Sequence, residues 1–127
     1  MQIRKFMSVV FTAALFVTGL VGQVGAIKGS ATHFTPGLGA CGVYSQKEDI
    51  VVAVGTKVYA KGKHCKERMR VQHMGKTIQV TMMDECPGCN DTHIDLGEAA
   101  FKKLADVDVG VIEVTWDFIS GSDSGDC

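Results

Sequence analysis

The 127-residue sequence contains no Gly-x-Ser-x-Gly elbow, no Walker loop, no dinucleotide fingerprint and no His-Glu-x-x-His pair. These absences remove the serine-hydrolase, P-loop, Rossmann and zinc-protease chemistries that a short string can announce. Aromatic residues are scarce, at 7%. A local basic stretch, Lys57, Lys61, Lys63, Lys66, Arg68 and Arg70, has only Tyr59 beside it for stacking and reads as a solvated surface. No internal repeat, low-complexity linker or second long apolar run comes after the first one.

That first run, Phe6 to Val21, carries no charge, follows Arg4-Lys5, and ends in small residues at Val24-Gly25-Ala26. A membrane span needs about 20 apolar residues, and this run is shorter and broken by Gly19, Gly22 and Gln23. Residues 1–26 are therefore expected to be a signal peptide, with cleavage after Ala26 and secretion of the rest. The remaining 101 residues amount to one domain, with 11 basic against 14 acidic side chains and a balance of -3. Neither nucleic acid nor a membrane is an expected partner.

All five cysteines, Cys41, Cys65, Cys86, Cys89 and Cys127, lie in that part. A thioredoxin-like Cys86-Pro87-Gly88-Cys89 needs its first thiolate at a helix start, but turn formers surround it. A four-thiolate zinc site lacks a second close pair, with His93 the sole nearby nitrogen. The cysteines thus read as structural disulfides of a small exported domain, and spacing leaves their pairing open.

Most of the chain has strand character. Candidates are Ser30 to Phe34, Ile50 to Val54, Lys57 to Ala60, Met69 to His73, Lys76 to Met83 and Gly110 to Phe118. Within Lys76 to Met83, Ile78, Val80 and Met82 alternate with Thr77, Gln79 and Thr81, which gives a sheet one apolar face. Ile112, Val114, Trp116 and Phe118 repeat the device, so Trp116 is expected in the core. One segment, Glu98 to Leu104, has a helical stripe of Ala100, Phe101 and Leu104, with an acid at its start and lysines near its end. Many strands and one two-turn helix point to a closed or nearly closed barrel.

The densest polar segment runs from Asp84 to Asp95, at the end of an alternating strand and in the loop after it. If Asp84 and Asp95 share a surface, a carboxylate pair could do acid and base work on a glycosidic bond, at about 5 Å for retention or 6.5 to 9.5 Å for inversion. Otherwise Asp84 pins a loop by accepting backbone amides, and Asp95 either caps the helix or faces a ligand. His93 fixes Asp95, meets substrate or lies in solvent. Asn90-Asp91-Thr92 is the one glycosylation sequon, and a glycan on Asn90 would stand beside His93 and Asp95.

Together the strings Gly29-Ser30-Ala31-Thr32-His33-Phe34, Gly39-Ala40-Cys41-Gly42, Val80 to Cys89, Thr92-His93-Ile94-Asp95-Leu96, Ala99 to Ala105 and Gly110 to Trp116 resemble the double-psi beta-barrel domain of expansins, barwin-type proteins and rare lipoprotein A. In size and in its Asp-Glu-Cys-Pro-Gly-Cys and Val-Thr-Trp strings, the chain is similar to the single-domain fungal expansin-like proteins called loosenins. The resemblance implies a mainly β, six-stranded double-psi beta-barrel with one short helix over residues 27–119; the small polar residues of the tail at 120–127 are expected to be loose unless Cys127 is tied down. It matches Asp95 to the aspartate on which wall loosening depends, His93 to its neighbour, and Thr32-His33-Phe34 to an early Thr-Trp-Tyr string. Glycoside hydrolases on this barrel need a base aspartate near the first strand, and none lies between Gly29 and Lys47. The function this resemblance implies is that of a monomer that loosens cell-wall polysaccharide (cellulose, chitin or matrix glycan) without hydrolysis, cofactor or metal, through Thr32, Asp95, His93 and Asp84. The second β-sandwich of expansins is missing from this sequence, so weak affinity for cellulose is expected. Resemblance also implies the pairs Cys41 with Cys65 and Cys86 with Cys89, leaving Cys127 unpaired or intermolecular.

Two other functions fit the same barrel. One is a secreted binding or inhibitor protein, acting on cysteine proteases or a host, whose loops from Gly37 to Ser45 and at Asn90 would meet a protein. The other is a glycan-cleaving enzyme.

Overall fold

The computed structural model describes residues 25–119, so all but the last two residues of the expected signal peptide, together with the tail and Cys127, lie outside the described residues. Six strands, β1 (Ile27–Phe34), β2 (Val51–Val54), β3 (Arg68–His73), β4 (Lys76–Glu85), β5 (Ile94–Gly97) and β6 (Ile112–Phe118), close into a barrel in the order β1-β5-β2-β4-β3-β6. Pairing is parallel for β1 with β5 and for β2 with β4, and antiparallel elsewhere. This is the expected double-psi barrel with one short helix capping it.

Alternation decides which side chains fill the interior. Val80 and Met82 of β4, and Ile112, Val114 and Trp116 of β6, are buried, while Thr77, Gln79 and Glu113 are exposed. The helix α2 (Glu98–Leu104) turns Ala100, Phe101 and Leu104 inward, with Glu98 in its first turn and Lys102 and Lys103 in its last, favourable to its dipole. Phe101 and Trp116 are the largest buried side chains, and burying each such group contributes about 1.5–3 kcal/mol. The Trp116 indole N–H is not orphaned: Nε1 donates to the Thr92 carbonyl at 2.9 Å, which fastens the loop before β5 to the core.

Two expectations are corrected. Lys57 to Ala60 is not a strand: Thr56–Tyr59 form a single helical turn, α1, with Ala60 and Lys61 after it in left-handed backbone at φ 51 and 58. Four residues show no period that separates strand from helix, and here the chain must double back from β2 to β3. The segment Ile94–Gly97, not among the expected strands and with its first two residues in the expected loop up to Asp95, is strand β5, wedged between β1 and β2. Only Ile94 and Leu96 mark its inner face, too few for alternation to be read from sequence. The N-cap of α2 is Gly97, with no side-chain cap bond, so Asp95 is not a helix cap.

Candidate functional site

Register across β1, β5, β2 and β4 sets four side chains in one row. Thr32 pairs with Asp95, Asp95 with Ala53, and Ala53 with Asp84 on its other side. Their sequence neighbours Ala31, Ile94, Leu96, Val52 and Val54 belong to the core, so the row lies on the barrel's other face. Asp84 and Asp95 thus share a surface, two strand spacings or about 10 Å apart along the sheet.

Asp95 is half-buried and carries the distinctive chemistry. Thr32 Oγ1 donates to Asp95 Oδ1 at 3.0 Å. Having given its proton there, Thr32 accepts from His93 Nε2 at 2.9 Å, so a neutral His93 is protonated on Nε2. His93 Nδ1 is then the acceptor for the Ser30 hydroxyl, 2.9 Å away. A directional chain runs Ser30, His93, Thr32, Asp95. Burial, the largest influence, pushes the Asp95 carboxyl above its ordinary value of 3.8, and nearby Asp84 pushes the same way. The Thr32 hydroxyl, His93 and His33 oppose that shift. His33 itself turns to the helix, its Nε2 donating to the Val107 carbonyl at 3.0 Å and its ring 4.8 Å from Phe101.

Ser30 did not stand out in the sequence, although it lies two residues before Thr32 on one strand and so shares its face. Asn90 has a role unconnected with sugar attachment: its Oδ1 accepts from Thr92 N at 3.0 Å, Thr92 Oγ1 at 3.1 Å and His93 N at 3.0 Å. That Asx turn, with the Trp116 bond to Thr92, delivers His93 to the chain. The second carboxylate is occupied elsewhere. Asp84 Oδ1 accepts the amides of Ala40 and Glu85, both at 2.8 Å, and so pins the loop after β1.

This loop is heavily tied. Cys41 is bonded to Cys65, and Cys86 to Cys89, the pairing implied by resemblance. Tyr59 donates to the Ala40 carbonyl at 3.1 Å, and Cys41 N to that of Met83 at 3.2 Å. Gly39 is required by close approach, since a Cβ there would lie 2.4 Å from the Met83 carbonyl oxygen. Among the described residues no group of three or more His, Cys, Asp or Glu is arranged to hold a metal ion. No helix among them is long and apolar enough to cross a membrane.

Known proteins share this barrel. A papain inhibitor from Streptomyces mobaraensis is 37% identical over 100 residues, spanning 72% of this chain and 70% of the relative. The solved Streptomyces papain inhibitor superposes with a TM-score of 0.69 at 36% identity, covering 75% of this chain and 94% of the inhibitor. A mutant expansin of Clavibacter michiganensis, solved in complex with cellohexaose, gives a TM-score of 0.70 at 27% identity over 75% of this chain, and this match spans only 50% of the expansin. The similarity therefore reaches inhibitors and expansins alike and is not specific to loosenins. The double-psi beta-barrel family model described as lytic transglycolase matches residues 26–116. On that match, covering most of the sequence, the chain belongs to this double-psi beta-barrel family.

Proposed function

We propose that this chain is a non-catalytic binding protein that inhibits papain-like cysteine proteases. The observation that carries the reading is coverage: the matched region accounts for 94% of a solved papain inhibitor but for half of a solved expansin. The site supports the non-catalytic part. Asp84 Oδ1 accepts two backbone amides, which gives this carboxylate a structural task in pinning the loop after β1. A titration of papain activity with the purified, disulfide-intact chain tests the proposal. Inhibition that saturates at a fixed stoichiometry supports it, and full activity at large molar excess removes it.

A second reading is favoured by one observation, the half-exposed Thr32, His93 and Asp95 linked by hydrogen bonds, which offers donors and acceptors to sugar hydroxyls. In this reading the chain binds cellulose, chitin or a matrix glycan and loosens non-covalent contacts between polysaccharide chains, as loosenins do. Retention on one of these polymers, lost in Asp95→Asn and accompanied by no soluble sugar, supports it. Soluble oligosaccharide, with or without new reducing ends, would instead indicate cleavage.

A further inference from the structure

Five large apolar side chains are exposed among the described residues: Leu38, Tyr44, Met74, Val109 and Val111. Single exposed apolar groups are ordinary on any protein. Leu38 and Tyr44 differ, because they are direct partners across an isolated antiparallel bridge and so point to the same side. They are 72% and 65% exposed, on a loop with many internal and tertiary ties. Within it, Ser45 N donates to Gly37 O at 2.8 Å, Gly39 N to Val43 O at 3.1 Å and Gly42 N to Gly39 O at 2.9 Å. From outside, the Cys41–Cys65 disulfide, Asp84 and Tyr59 hold its middle.

From Thr35 to Ser45 the chain carries no charged residue. A rigid, uncharged loop with a tyrosine and a leucine side by side has the composition of an interface centre, where charge is depleted and tyrosine enriched. Preorganisation matters as much. Ordering a free loop on binding costs affinity, and here the hydrogen bonds and the staple have already ordered it. A protease that seats this loop meets a bridged hairpin whose two sides stay tethered, rather than an extended chain.

We infer that the loop from Gly37 to Ser45, through Leu38 and Tyr44, is the surface that docks into the cleft of a papain-like cysteine protease. This rests on the inhibitor reading given above. In the assignment Asp84 is a positioning residue, holding Ala40 so that the two apolar side chains stay paired, and the Thr32 to Asp95 row takes no part in protease binding.

The test titrates papain with three purified proteins: the unaltered chain, the double variant Leu38→Ser/Tyr44→Ser, and Met74→Ser as an exposed apolar control. Inhibition weakened at least about tenfold in the double variant and unchanged in Met74→Ser is the expected result. Undiminished inhibition by the double variant overturns the loop assignment while the inhibitor reading stands. No inhibition by the unaltered chain overturns that reading and the assignment together. A second measurement needs no variant: hydrogen exchange of the unaltered chain with papain slows within residues 37–45 if the loop docks. Slowing confined to any other surface contradicts the assignment.

Discussion

At Asp95 the physical chemistry of the site becomes measurable. Below pH 3.8 this carboxyl is protonated in folded and unfolded chains alike and does not affect their balance. As pH rises past that value, the unfolded chain releases its proton while the folded one, held above it by burial, retains it. The unfolded state then binds fewer protons, so Asp95's contribution to stability falls as pH rises through its folded value, and stays constant above it. Asp95→Asn removes that fall: the variant's melting temperature relative to the unaltered protein is expected to be higher at pH 7 than at pH 3. A difference independent of pH would contradict the assignment of burial as the governing influence. Gly29 makes a sharper steric case. A Cβ there would lie 1.8 Å from the Thr92 carbonyl oxygen, the acceptor of the Trp116 N–H. Gly29→Ala is expected to cost about 1–3 kcal/mol in denaturant unfolding, because neither backbone nor indole can move aside freely. An unchanged midpoint would show that this loop yields easily. The motifs singled out Thr32, His93 and Asp95, which hydrogen bonds join in the fold, and Asp84 as a loop pin was one of two readings open at that residue. The roles of Ser30 and Asn90 were not legible, because a serine two places from a threonine and an asparagine in a sequon both have commoner explanations.

Among the elements, strands with alternating positions were legible, and so was β2, whose Val51–Val54 is a wholly apolar, buried run rich in valine, while β5 was not. β4 and β6 show their inner and outer faces in the sequence, and α2 shows its stripe. β5 has two inward residues and a row position at Asp95, and its strand character comes from being held between β1 and β2. α1 carries Val58 and Tyr59 in a run equally compatible with a strand, and the left-handed Ala60 and Lys61 beyond it have no sequence signature. The disulfides differ in what they close. The Cys41–Cys65 loop spans 24 positions and Cys86–Cys89 spans 3. In the loop-entropy picture, removing the first by Cys41→Ser/Cys65→Ser costs about 3.5 kcal/mol, and removing the second about 2 kcal/mol. Urea unfolding of the two double variants checks the order. Equal losses would mean that the longer bridge is offset by native-state cost. The longer bridge also holds the Leu38 and Tyr44 loop, so its removal is expected to weaken papain inhibition beyond the loss of stability.

For the whole molecule, the ordered set of short motifs carried the fold, because each string falls where the barrel needs it: a first strand, a cysteine loop, the Asp-Glu-Cys turn, the short strand with its helix, and the Trp strand. Function was less legible, since one barrel serves an expansin solved with cellohexaose and an inhibitor of papain. This chain presents two candidate surfaces: the hydrogen-bonded polar chain from Ser30 to Asp95, and the stapled loop that carries Leu38 and Tyr44. The inhibitor reading, taken with the loop assignment inferred above, puts the working contact on the loop. Papain activity measured against rising concentrations of the unaltered chain, with retention on cellulose, chitin and xylan followed in the same preparation, distinguishes the two surfaces. If the loop is the working contact, protease activity falls to a stoichiometric end point with no polysaccharide present. Unimpaired papain beside firm retention on a glycan that disappears with Asp95→Asn would instead assign the work to the polar row and refute the inhibitor reading.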